Sequence, residues 1–420
     1  MKRSDFMKKR LLLVLLSFIL LTSCAPAYIE ESSAVVSENS DEASEHDELE
    51  AAEFPDRYQR YVLDVYKGKT EAELEAEFDY SQTRNCYYEL SQSATNVYFE
   101  SGDILYRYSK QNGIVTPLCP DPLCDHSSCI YSQCYQFPSS GRNVYLEHSI
   151  HNDDWSSWIS QVYKCNADGT EPKLLGSFES RSIGELLCVG DDLYARFQRF
   201  DDENNSTFYS IVKFGSDGKL KQITDPELSC WPFTDGVNLL MKCGDDVYRI
   251  VDDAPVLIRK GVATGVLLLN GYIYFAYLEE NEGKSEYDYV YKRVSIYGGE
   301  DEDVSSPLLY DSVVSGDYVY YGVSIDGVTS ITKRDPKTLE VIKSFEFTDG
   351  GKALAYMGVH KPIVDKGYIF TLYYDDYDVR KAAALAEKKG GRYSPRYHLA
   401  ILDIETNKKY VILHEEDTRS

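Results

Sequence analysis

A short apolar strand, followed by a turn and a tyrosine-rich strand, recurs seven times in this chain, and six of the seven echoes themselves carry tyrosine: Asn96-Val97-Tyr98-Phe99, Asn143-Val144-Tyr145-Leu146, Asp192-Leu193-Tyr194-Ala195, Asn238-Leu239-Leu240-Met241, Tyr272-Ile273-Tyr274-Phe275, Tyr318-Val319-Tyr320-Tyr321 and Tyr368-Ile369-Phe370. The third residues of these motifs are spaced by 47, 49, 46, 34, 46 and 50 positions. That period belongs to four-stranded units, and one small sheet cannot cover both of its own faces. Such units must shield one another, which they do by closing into a ring. The sequence therefore reads as all-β, a β-propeller of seven blades, with six as the alternative count. The units fall at 86–118, 137–176, 184–224, 233–260, 264–309, 312–347 and 361–414.

The repeat extends beyond the tyrosines. Asn96 to Arg107 superposes without a gap on Asn238 to Arg249. Later strands alternate inward and outward, as in Gln161-Val162-Tyr163-Lys164 and His398-Leu399-Ala400-Ile401-Leu402. Between them stand hairpin turns with the expected chemistry: Ala167-Asp168-Gly169-Thr170, Ser216-Asp217-Gly218-Lys219, Asp335-Pro336-Lys337-Thr338 and Glu405-Thr406-Asn407-Lys408. First and last units each supply four strands, so closure is expected by side-by-side packing. The run Val379–Lys389, ended by Gly390-Gly391, reads as a helix inserted in the last unit.

The N-terminal segments are of another kind. Lys2, Arg3, Lys8, Lys9 and Arg10 precede the apolar run Leu11–Leu21, which is too short to span a bilayer. The run ends in Leu21-Thr22-Ser23-Cys24, which resembles the lipobox of bacterial lipoproteins. That resemblance implies a signal peptide over 1–24, lipidation of Cys24 and a protein held by its acyl chains on the extracytoplasmic face of the cell membrane. Residues 25–54 are acidic, serine-rich and nearly free of large apolar groups, as befits a disordered tether. Residues 55–80 read as helical. Tyr58, Tyr61, Val62 and Val65 have helical spacing, and Thr70-Glu71-Ala72-Glu73 has the form of a capping box. The propeller is expected over 81–415.

Charge narrows the partners. The chain carries a formal −25, and about −29 without the basic leader. Nucleic acid and anionic lipid both attract basic patches, so neither is an expected ligand.

The densest local signal is Cys119-Pro120-Asp121-Pro122-Leu123-Cys124-Asp125-His126-Ser127-Ser128-Cys129, followed by Cys134. Zn²⁺ takes thiolate and imidazole tetrahedrally, so Cys119, Cys124, His126 and Cys129 form a Cys3His set for a structural zinc, with Cys134 spare. In an exported protein the same cysteines, with Cys134, suit disulfides equally well. A third reading leaves them as free thiols. Cys86, Cys165, Cys188, Cys230 and Cys243 are scattered through the units and read as small buried hydrophobes.

With its Tyr-x-Tyr strands, its Asp-Pro-Lys and Asp-Gly-Thr turns and this cysteine loop, the stretch 86–414 resembles the β-propeller lipoproteins of anaerobic Gram-positive bacteria. Their repeats are distantly akin to the YWTD propellers of lipoprotein receptors, although no YWTD tetrapeptide is present here. The resemblance implies a lipid-anchored propeller on the cell envelope.

One loop looks made for a ligand. His148, His151, Asp154, Trp155 and Trp158 stand close together and include two of the three tryptophans. Aromatic faces beside carboxylates suit a sugar ring or a cationic group. The motifs Gly-x-Ser-x-Gly, His-Glu-x-x-His, Walker and Gly-x-Gly-x-x-Gly do not occur. The expectation is a non-enzymatic binding module for a protein, peptide or glycan. The alternatives are an extracellular carbohydrate-active enzyme with its site at the propeller mouth, or a structural accessory of an envelope complex.

Overall fold

The structure is a computed structural model. It describes residues 57–80 and 90–413, apart from 103, 125, 127–128, 152–157, 180–182, 202–205, 217, 226–228, 263–265, 281–286, 305–311, 326–327, 350–351, 354, 358–361, 375 and 390–395. The leader, Cys24, the tether and Cys86 lie outside the described residues.

Seven sheets follow one another along the chain, and the four principal strands of each pair antiparallel in sequence order. The fold is a seven-bladed β-propeller with two short helices among the described residues. The four principal strands of blade 1 lie within 90–117, of blade 2 within 134–179, of blade 3 within 183–222, of blade 4 within 230–259, of blade 5 within 267–303, of blade 6 within 313–349 and of blade 7 within 363–412. First strands of blades 6 and 7, and of 7 and 1, approach each other, so the first strands lie toward the axis. Helix α1 is Glu71–Ala76. Helix α2, Asp376–Lys389, is inserted between the second and third strands of blade 7, where the sequence placed it.

The tyrosine motif is explained by where its residues point. Successive strand residues face opposite sides of a sheet. In a blade both sides meet a neighbour, so both must be apolar. Val97 and Phe99 pack in the seam between blades 7 and 1, while Tyr98 between them packs in the seam between 1 and 2. Leu239 and Met241 face blade 3, and Leu240 faces blade 5. Ile369 and Phe370 divide between blades 6 and 1 in the same way. The core is thus seven clusters, one in each seam.

A second rule locks the ring. The turn between the third and fourth strands of each blade reaches the preceding blade. Tyr98 donates to Ala167 O at 2.6 Å, Lys173 to Ser216 O at 2.8 Å and Lys343 to Ile404 O at 3.0 Å. Tyr274 donates to Pro336 O. Lys221 pairs with Asp253 at 2.6 Å, and the Arg249 guanidinium lies 4.4 Å from the Tyr297 ring centre. In the last seam Lys110, from the turn of blade 1, pairs with Asp365 of blade 7 at 2.8 Å. The turns hold their shape by their own side chains. Asp335 Oδ1 accepts from the backbone of Lys337 and Thr338, and Asp168 Oδ1 accepts from Thr170. Gly169 sits at φ +85°, and a Cβ there would lie 2.3 Å from Leu118 O, so only glycine fits this approach.

Closure differs from side-by-side packing alone. Arg57–Tyr58 adds a further strand to blade 7, parallel to Lys409–Ile412. From there the chain crosses to blade 1, where Tyr61 N donates to Gly113 O at 2.8 Å and Tyr108 OH donates to Tyr61 O at 2.8 Å. Leu63, Tyr66 and Leu74 are buried in the cluster shared by blades 1 and 7. The expected helix through Tyr58 and Val65 is not formed. Residues 57–58 are strand and 64–68 are turns, because the open edge of blade 7 offers backbone partners that outweigh a helical spacing of four residues. The capping box does form: Thr70 Oγ1 accepts from Glu73 N at 3.3 Å, and Glu73 accepts from Thr70 N at 2.8 Å.

Cys230 and Cys243 are not separate buried hydrophobes. They face each other across the first hairpin of blade 4 and form a disulfide, with Cα atoms 4.2 Å apart. Cys165 and Cys188 are buried in the seams, as expected.

Candidate functional site

Antiparallel order places the links from second to third strands, and from each blade to the next, on one face of the ring. The opposite face carries the remaining turns. The cysteine loop, residues 118–133, is the link from blade 1 to blade 2. Asp121 starts it with a tight turn, its Oδ1 accepting from Leu123 N at 2.9 Å and its carbonyl from Cys124 N at 3.2 Å. Leu123 at the tip is 92% exposed. His126 takes a left-handed backbone, φ 59°. Ser132 closes the loop, donating from its Oγ to Cys129 O at 2.7 Å.

These turns bring Cys119, Cys124, His126 and Cys129 together, with one ligand atom from each lying within 4.8 Å of all the others. His126 Nδ1 is 3.4 Å from Cys129 Sγ. Burial, with the neighbouring Cys124 and Cys129, pushes the Cys119 thiol up to about 12, and burial raises Cys129 as well. All three cysteines carry free sulfurs, and so does Cys134. Cys134 stands outside the group, its buried Sγ 3.2 Å from Ile130 O.

The loop expected to hold a ligand is placed differently. His148 is buried in blade 2, with Nδ1 2.8 Å from Ser132 O, and burial lowers its pKa. It braces the cysteine loop from beneath. His151 and Trp158 are register partners at the ends of the second and third strands. Asp154 and Trp155 lie outside the described residues.

A cluster the sequence did not suggest spans blades 3 and 4. The Arg196 guanidinium carbon lies 3.3 Å from the Trp231 ring centre and 3.7 Å from that of Tyr209. The two rings are nearly parallel, at 27°. Glu185 Oε1 meets Arg196 Nη1 at 3.4 Å, and both side chains are buried. Burial raises the Glu185 carboxyl and lowers the Arg196 guanidinium. Trp231, by contrast, is 53% exposed. The result is an indole shelf on a fixed cationic support. Four strands of two blades supply it, so no window of sequence reveals it.

On the rim between blades 2 and 3 lies a cleft of about 410 Å³ edged by Lys164, Lys173, Asp191 and Asp192. Its mixed charges give it no single preference.

No family model matches the chain, and no curated protein matches it. Among solved structures it is similar to polysaccharide lyase Uly1, at 10% identity and TM-score 0.44, over 80% of this chain and 96% of that one. TolB from Acinetobacter baumannii aligns at 14% identity and TM-score 0.35, over 76% and 77%. The β-propeller domain of the Trilobed protease from Pyrococcus furiosus aligns at 11% identity and TM-score 0.34, over 63% and 79%. At such identities these are likenesses of fold, and no activity is carried across.

Proposed function

We propose that this chain is a lipid-anchored propeller on the extracytoplasmic face of the membrane, and that it binds a glycan without cleaving it. The lipobox-like Leu21-Thr22-Ser23-Cys24 and the acidic tether support the anchoring. Trp231 carries the binding reading. Its half-exposed indole is held flat by Arg196 and Tyr209, so little side-chain entropy is lost when a flat apolar ring face stacks on it.

The test is a glycan array with the detergent-solubilised chain, followed by calorimetry on the best ligand. Trp231→Ala is expected to weaken binding at least tenfold at unchanged ellipticity. Cleavage of the bound glycan would overturn the non-enzymatic reading. Equal affinity of the variant would remove Trp231 from the site.

A further inference from the structure

We infer that Cys119, Cys124, His126 and Cys129 form a structural zinc site that stiffens the link between blades 1 and 2. The donors come from only eleven residues, in the pattern Cys-x4-Cys-x-His-x2-Cys. An unconstrained loop has no reason to fold three thiols and an imidazole onto one point, because apolar thiol packing is satisfied in many arrangements. Here every pair of donor atoms is within 4.8 Å. A tetrahedral zinc with Zn–S of about 2.3 Å and Zn–N of about 2.0–2.1 Å sets its donors about 3.6–3.8 Å apart. The His126–Cys129 edge, at 3.4 Å, is already at that scale. The remaining edges need to contract by no more than about 1 Å to reach it.

The count of donors argues the same way. Three cysteines cannot all pair with one another, and Cys134, which could complete two disulfides, is engaged at Ile130 O. Four protein donors fill a tetrahedral shell, so the site is closed and its work is structural. What it would hold in place is visible nearby. Tyr131, just past Cys129, donates to Gly169 O across the seam, and Ser132 supports both the Cys129 carbonyl and His148. A metal here ties the loop to the blade 1–blade 2 seam. It also keeps three thiolates from oxidation outside the cytoplasm.

The experiment is elemental analysis of the full-length chain, extracted in detergent without chelator under argon. One zinc per chain is expected, falling at least fivefold in Cys124→Ser and Cys129→Ser and remaining at one in Cys188→Ser, whose thiol lies in another seam. If the serine variants fail to fold, the wild-type chain is stripped with chelator and reconstituted with Co²⁺. Visible d–d bands of tetrahedral cobalt thiolate, and recovery of the melting temperature lost on stripping, are then expected. Absence of bound metal before and after reconstitution, or disulfides linking Cys119, Cys124 or Cys129 in the chain as isolated, would overturn the assignment.

Discussion

Lys110→Met tests how the ring is closed. Lys110 is 1% exposed, and its ammonium meets Asp365 Oδ2 at 2.8 Å, Gln92 Oε1 at 3.0 Å and Ser93 O at 3.1 Å. Tyr66 OH, from the N-terminal segment, donates to the same Asp365 oxygen at 2.7 Å. Three parts of the chain therefore converge on one carboxylate: the N-terminal strap, residues 57–68, which crosses from blade 7 to blade 1, and blades 1 and 7 themselves. Methionine keeps the length and most of the volume of the lysine stem, so little cavity is made. What changes is that Asp365 loses its cation while still buried. Breaking one side of a buried pair costs about 3–5 kcal/mol. The pH dependence has a definite sign. In the native chain burial pushes the Asp365 carboxyl up, but Lys110 and Tyr66 more than offset it and hold it below its ordinary value. It then contributes stability above the unfolded pKa, which is lost as pH falls through the folded one. In Lys110→Met burial is opposed only by Tyr66 and the more distant Lys366, so the folded value rises and the variant loses stability as pH climbs. The deficit should be widest near pH 7 and narrow toward pH 4. Guanidinium unfolding at both pH values measures it, and Lys110→Met with Asp365→Asn should recover at least half. A deficit under about 1 kcal/mol at pH 7, or no recovery in the double variant, would refute this account of closure.

Two further predictions concern the blades. Burial pushes the Glu147 carboxyl up to about 7 from an ordinary 4.5, against hydrogen bonds from Ser160 and Gln136. Its folded value lies above the unfolded one, so its own contribution to stability is greatest below pH 4.5 and falls by about 3 kcal/mol as pH rises to 7. Glu147→Gln should flatten that part of the melting-temperature profile, and parallel profiles would show that the carboxyl is not buried as described. The Cys230–Cys243 bond closes a short loop, 13 residues in sequence, and replacing both cysteines with alanine should cost about 3 kcal/mol. Alkylation of unreduced, denatured chain should spare both sulfurs, and full labelling of either would exclude the bond.

Legibility of the sequence followed the range of the interactions. The strands were readable because each tyrosine motif is local and both its faces are apolar, which few other structures require. The Cys3His group was readable because all its donors lie within eleven residues. The strap was misread because Tyr58, Tyr61, Val62 and Val65 satisfy helical spacing, while the competing edge of Lys409–Ile412 lies about 350 positions away. Cys230 precedes the unit assigned to blade 4, which hid its pairing with Cys243. Arg196, Tyr209 and Trp231 meet only once two blades are side by side.

The two faces of the ring are under different constraints. On one, the turns between third and fourth strands are committed to holding the preceding blade, and links between first and second strands add bonds such as Gly190 N to Gly236 O at 2.8 Å. A change there loosens a seam, as the 2.3 Å approach of Leu118 O to a Cβ at Gly169 makes plain. The links of the other face are freer to grow, and this chain enlarges them there with the cysteine loop and the insert bearing α2. Trp231 belongs to that side, one residue into the first strand of blade 4. A ligand seated on it would meet loops that can vary without cost to the ring, with the Cys3His loop as the part that must be made rigid by other means. Stripping metal should therefore loosen the cysteine face and the blade 1–blade 2 seam beside it and leave the other six seams intact, an ordering that hydrogen exchange can read directly: faster exchange at Ile130–Ser132 and unchanged exchange at Leu239–Met241.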